Sequence, residues 1–115
     1  MLTAEQIARV VHEANRAVQI EQNDPTIPVS NSWDESSPST RDSAIAGVVG
    51  AQSGFGPAES HNGWMEFKLN DGWVLGPMKN EELKQHPLLV PYEDLPESQK
   101  VKDKLFLAIV KVLSE

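Results

Sequence analysis

The chain is expected to fold as an α+β domain in which an N-terminal and a C-terminal helix pack together, with additional short helices and a few short strands between them. Two observations carry that expectation. Apolar residues recur at helical spacing over long stretches at both ends, near residues 3–20 and 98–113. Between them, prolines and glycines punctuate the sequence too closely for long elements, leaving short apolar runs such as Trp73-Val74-Leu75 and Leu88-Leu89-Val90.

The first helix is expected to start at Thr3, because Thr3 and Gln6 have the spacing of a capping box, in which each side chain satisfies a free amide. Ile7, Val10, Val11, Ala14 and Val18 then share one face, and the helix should stop before Asn23-Asp24-Pro25. Residues 23–38 read as loop, with Trp33 as its one large apolar side chain. A second helix is expected from Ser37 as cap and Pro38 as first residue to about Val49 or Gly50.

Residues 60–75 allow two readings. Met65, Phe67 and Leu69 alternate, and Asn70-Asp71-Gly72 would turn a hairpin into Trp73-Val74-Leu75. Equally, Ser60 would cap a short helix carrying Trp64, Phe67 and Lys68, with Gly72 as its left-handed stop. Leu88-Leu89-Val90, between prolines, reads as a short buried strand or extended segment. In the last helix Val101, Leu105, Ala108, Ile109 and Val112 share a face. Packing of the two long helices on their apolar stripes would bury Val10, Val11, Ala14, Leu105, Ile109 and Val112.

Composition narrows the function. The chain has 115 residues, a length typical of one domain spanning residues 1–115. It has no cysteine, which removes disulfides and thiolate chemistry and suits a reducing cytoplasm. Its first residues carry neither a basic n-region nor an apolar run, so no secretory signal is expected, and no apolar run is long enough to span a membrane. The net charge of −7 repels phosphate polymers, so duplex binding is not expected. A single small anion stays open, because a few local cations outweigh a distant acidic surface.

Three groups of residues carry candidate chemistry. His12, Asn15 and Arg16 lie off the apolar stripe of the first helix, where Arg16 would suit a phosphate or carboxylate. A solvated face, or a salt bridge from Arg16 to Asp24 or Asp42, is the plain alternative. Trp33, Trp64 and Trp73 form the second group, either as core or as stacking platforms for a planar base. Lys68, Lys79, Lys84 and His86 form the third, around a phosphate or in a mixed-charge turn beside Glu81 and Glu82. Catalysis is not expected: no serine elbow, metalloprotease helix or paired carboxylates accompany His61 and His86. No pair of histidines has helical ligand spacing, so neither a metal nor a cofactor is expected.

The order His61-Asn62-Gly63-Trp64, Lys68, Asp71-Gly72-Trp73-Val74-Leu75-Gly76-Pro77, Lys79, Lys84, His86-Pro87-Leu88-Leu89-Val90-Pro91-Tyr92, Leu95-Pro96 and Lys102-Asp103 resembles the RyR domain. This is the repeat found in pairs in ryanodine receptors and alone in small bacterial and phage proteins. The resemblance extends upstream through His12-Glu13-Ala14-Asn15-Arg16 and Ala46-Gly47-Val48. It favours the helix for residues 60–70, followed by a short strand at Trp73–Leu75. It also implies a tryptophan-lined cleft for an adenine nucleotide, with Trp64 and Trp73 at the matching positions. Asn80, where relatives often carry aspartate, and Val18, where they tend to carry an aromatic, depart from the pattern. The expected function is therefore binding of an adenine-type nucleotide, of ADP-ribose-like or cyclic signalling type, with sequestration of such a molecule as its use in a phage or defence setting. The other reading is a protein-interaction module. A homodimer would rebuild the two-repeat arrangement from one-repeat chains.

Overall fold

Four helices and one two-stranded sheet follow one another in the computed structural model, which describes all residues from Met1 to Glu115. Helix α1 spans Ala4–Gln22. Its capping box forms: the Thr3 hydroxyl accepts from the Gln6 amide at 3.1 Å, and the Gln6 side chain accepts from the Thr3 amide at 2.8 Å. The helix ends where Asn23 turns left-handed, with φ of 49°. Helix α2 spans Pro38–Gln52, capped by Ser37, whose hydroxyl accepts from the Thr40 amide at 3.2 Å.

Helix α3 spans Pro57–Asn70, so the helical reading of this segment holds and the hairpin does not. Alternation over Met65, Phe67 and Leu69 is too short to outweigh His61, Trp64 and Lys68, which sit one turn apart on an inward face. The helix opens earlier than Ser60, because the Glu59 carboxylate reaches back to accept from the Gly56 amide at 3.2 Å. At its other end the Trp73 amide returns to the Lys68 carbonyl at 3.0 Å and the Gly72 amide to Leu69 at 3.1 Å. That pair of bonds needs a left-handed residue between them, which Gly72 supplies with φ of 89°.

Strand β1 is Val74–Leu75, one residue shorter than the expected Trp73–Leu75, and it pairs in parallel with β2, Gln85–His86. Leu88–Val90, read as a short buried strand or extended segment, forms no strand. Pro87 has no amide to continue a ladder, and the Leu88 amide is taken by Nδ1 of His86 at 3.1 Å. Helix α4 spans Glu97–Leu113.

Helix α1 packs against α2 and α4, as the long-helix expectation required, but on different faces. The core is Ile7, Ala8, Trp33, Val48 and Val110, with Ala4, Val11, Phe106 and Leu113 packed around it. Val10, Leu105 and Val112, expected inside, are instead exposed, while Val11, Ala14 and Ile109 are half-buried. Both helices carry apolar residues around more than one face, so periodicity cannot choose between them. Small Ala4 and Ala8 beside Ile7, and the Phe106 ring placed where a Cβ added to Gly47 would meet it at 3.5 Å, decide the rotation. Only 13 of 115 residues are buried, because much of the space between the helices is not filled by side chains.

Candidate functional site

That space is a cavity of about 490 Å³ enclosed by α1, α2, α3, α4 and the segment joining β1 to β2. Its volume falls in the range of small-molecule sites. Part of its lining is apolar, with Val11, Ala44, Phe55, Phe106 and Ile109. The lining also carries Trp64, Trp73, His86 and three lysines: Lys68 from α3, Lys79 from the β1–β2 connection and Lys102 from α4.

The geometry of the aromatic wall starts at His86. Its Nδ1 accepts from the Leu88 amide, so the proton of the neutral ring lies on Nε2. Trp64 meets this ring edge-on at 4.9 Å, and Trp73 lies 6.4 Å away. On its other side Trp64 lies 5.4 Å from His61, whose Nε2 donates to the Val90 carbonyl at 2.8 Å. Two histidines thus fix Trp64, which stays half-buried with room on the cavity side. Trp73 is only 7 % exposed, and the Lys68 ammonium sits over its ring at 4.4 Å, so that face is taken.

The lysines give the cavity its charge. Burial holds the Lys68 ammonium below the usual lysine range, and nearby Lys79 lowers it further. Burial likewise lowers Lys79 and Lys102, and Lys79 also feels the charge of Lys102. No carboxylate stands within 4.0 Å of any of the three. Lys79 donates to the Ser30 hydroxyl at 2.8 Å, and the charge of Glu81 opposes the effect of burial without forming a salt bridge. His86, desolvated and facing Lys79, Lys68 and Lys102, is pushed down to about 3 and is neutral at ordinary pH. Asp103, also on the wall, is pushed up to about 6 by burial, against the pull of His61 and Lys102. No group of three or more histidine, aspartate and glutamate residues is placed to hold a metal ion.

The expected site residues divide accordingly. Trp64, Trp73, Lys68, Lys79, His86 and His12 line the cavity; Arg16, Trp33 and Lys84 do not. Arg16 and His12 clamp the loop before α2: Arg16 Nε donates to the Ser30 carbonyl at 2.9 Å and His12 Nε2 to the Asn31 carbonyl at 2.7 Å. Glu13 completes the clamp, accepting from the Trp33 amide at 3.0 Å and from Arg16 at 2.7 Å. These bonds, the backbone one first, hold its carboxyl below the usual range. The partner of Arg16 is therefore Glu13, not Asp24 or Asp42. Trp33 is core, 5 % exposed, between the His12 ring and the Arg41 guanidinium. Lys84 stands outside, donating to the Asp71 carbonyl at 2.7 Å from a left-handed backbone with φ of 51°.

Sequence reasoning missed the α4 wall. Gln99, Lys102, Asp103 and Phe106 all face the cavity at helical spacing. The signal was present: this polar series shares one side of α4 with apolar Phe106 and Val110, an odd place for solvated charges.

No curated protein matches the chain. The family model of the RyR domain matches residues 57–114, which takes in α3, the sheet and α4 but neither α1 nor α2 with its His12–Arg16 clamp. The ordered motif from His61 to Asp103, and with it most of the charged and aromatic wall of the cavity, falls inside that match, and the chain belongs to the RyR domain family.

Proposed function

We propose that this protein binds a small aromatic anion, an adenine-type nucleotide, in the cavity between its four helices. One observation carries the reading: three lysines, none of them in a salt bridge, converge on a partly apolar cavity of a chain whose net charge is −7. Burying ammonium groups with carboxylates only beyond salt-bridge distance is costly, and an entering phosphate offsets that cost. Trp64 is the stacking platform, since it is the tryptophan with a free side toward the cavity. Lys68, Lys79 and Lys102 face the phosphates, and neutral His86 supports the platform. Binding without turnover would make the protein a reservoir or sink for a signalling nucleotide.

Calorimetric titration with AMP, ADP and ADP-ribose tests this. Binding is expected, with quenching of tryptophan fluorescence, and Trp64→Ala should weaken it by about 1–3 kcal/mol. Absence of binding by all three would overturn the reading.

A specific surface feature favours a second reading, an interaction module whose partner is another copy of the chain. Val101, Leu105, Ala108 and Val112 follow one another at 4-3-4 spacing along α4, and all are exposed, Leu105 at the edge of the cavity. That spacing is the seam of paired helices. Light scattering is expected to give twice the 12.7 kDa chain mass, falling to the single mass in Val112→Glu. A single mass for the unaltered protein excludes the homodimer.

A further inference from the structure

The cavity wall that α4 contributes is rich in hydrogen-bond acceptors with no donor. Gln99 is only 5 % exposed and lines the cavity, yet its Oε1 has no partner. The orientation of this amide is fixed by a relay. Gln22 Nε2 donates to the Ser98 carbonyl at 2.8 Å, which turns its Oε1 toward Gln99 Nε2 at 3.4 Å. Flipping Gln99 would set two amide oxygens face to face, so the free atom is the oxygen. One turn along the same face, the Asp103 carboxylate also lines the cavity and accepts no hydrogen bond, although Lys102 adjoins it in sequence. Across the cavity on α3, the Ser60 hydroxyl is buried and unpartnered. A buried acceptor left without a donor is unfavourable, and several on one wall define what should fill the space beside them.

The order of groups along the cavity says which part of a ligand that is. Asp103 follows Lys102 of the cation cluster and lies close enough to His61 to feel its charge. His61 in turn adjoins Trp64. The acceptors therefore adjoin the cations through Lys102 and approach the stacking ring through His61, where a sugar joining phosphate to base would meet them.

We propose that Asp103 and Gln99 form a sugar subsite, accepting hydrogen bonds from the vicinal hydroxyls of a ribose whose phosphate lies on Lys68, Lys79 and Lys102. A carboxylate is suited to such hydroxyls because its two oxygens accept from both at once. The inference rests on the nucleotide reading for the placement of the ring, and its test separates the two.

Affinities of AMP, 2′,3′-dideoxy-AMP and ribose 5-phosphate are measured by calorimetry at pH 7.5 for the unaltered protein, Asp103→Asn and Gln99→Met. AMP should bind about 10- to 100-fold more tightly than its dideoxy form, the effect of losing hydrogen bonds to a charged acceptor. Both variants should weaken AMP while leaving the dideoxy form unchanged, a pattern that general unfolding would not give. Equal affinity for AMP and dideoxy-AMP, or equal losses for both in the variants, overturns the sugar subsite while the nucleotide reading stands. Failure of AMP with retained, Asp103-dependent binding of ribose 5-phosphate keeps the subsite and removes the base. No binding of any probe overturns both.

Discussion

At the scale of single residues, the charges in the cavity set stability and binding against each other. Lys102 makes neither a salt bridge nor a side-chain hydrogen bond, and its ammonium is partly desolvated. Lys102→Met should therefore leave the melting temperature unchanged or raise it, because the stem still packs while the desolvated charge is gone. The same change should weaken phosphate-bearing ligands. A lower melting temperature together with unaltered AMP affinity would contradict the placement of Lys102. His86 and Asp103 give opposite responses to acid. The His86 pKa falls from 6.5 to about 3 on folding, so the stability it contributes is present above pH 6.5 and is lost as pH falls toward 3. That of Asp103 rises from 3.8 to about 6, so the folded state gains as pH falls through 6 toward 3.8. Asp103→Asn removes the compensating gain. Between pH 6.5 and 4, its urea midpoint should fall more steeply than that of the unaltered protein.

At the scale of elements, what holds the small sheet is backbone proximity. A Cβ built on Gly76 would lie 2.6 Å from the Cβ of Gln85, so the crossing of β1 and β2 requires glycine there. Gly76→Ala should cost about 1–3 kcal/mol, the usual range for overpacking, and loosen the Lys79 segment that follows. Chemical denaturation measures the cost, and hydrogen exchange at the Val74 amide, bonded to the Lys84 carbonyl at 2.8 Å, reports the loosening. The His12–Arg16 clamp acts on another element, the loop that carries Ser30. Ser30 accepts from Gln19 and Lys79, so Arg16, which does not itself line the cavity, positions a cavity lysine through its bond to the Ser30 carbonyl. Glu13→Ala should thus weaken phosphate affinity although Glu13 lies outside the cavity wall.

At the scale of the whole molecule, a hollow interior limits how much apolar surface folding removes from water. With few residues fully buried, each core contact carries a larger share of a margin of only about 5–15 kcal/mol. Val110 is 2 % exposed and sits in the central cluster, whereas Val112 points outward. Val110→Asp should remove several kcal/mol, on the order of the whole margin, as expected for an unpaired buried charge. Val112→Asp should be close to neutral in a single chain. Equal losses at the two positions would contradict the observed rotation of α4. An adenine nucleotide bound as proposed should raise the melting temperature, because the cavity exists only in the folded chain.

Helix ends were legible in the residues themselves, because capping is local. Thr3 with Gln6, Ser37 before Pro38, and Gly72 after α3 each satisfy backbone groups within a few positions, with no help from the rest of the chain. The order of motifs from His61 to Asp103 was legible too, and it led to the family. Rotation of α1 and α4 was not: both carry more than one apolar face, and the choice depends on which small residues meet which ring across a helix pair. Nor could sequence separate Lys68 and Lys79 from Lys84, or Trp64 from Trp33, since residue type is the same and only position relative to the cavity differs. The chain by itself determined its helices and its repertoire of charged and aromatic groups. The tertiary structure alone decided which of them share a space, because desolvation and proximity arise only when distant segments close around one cavity.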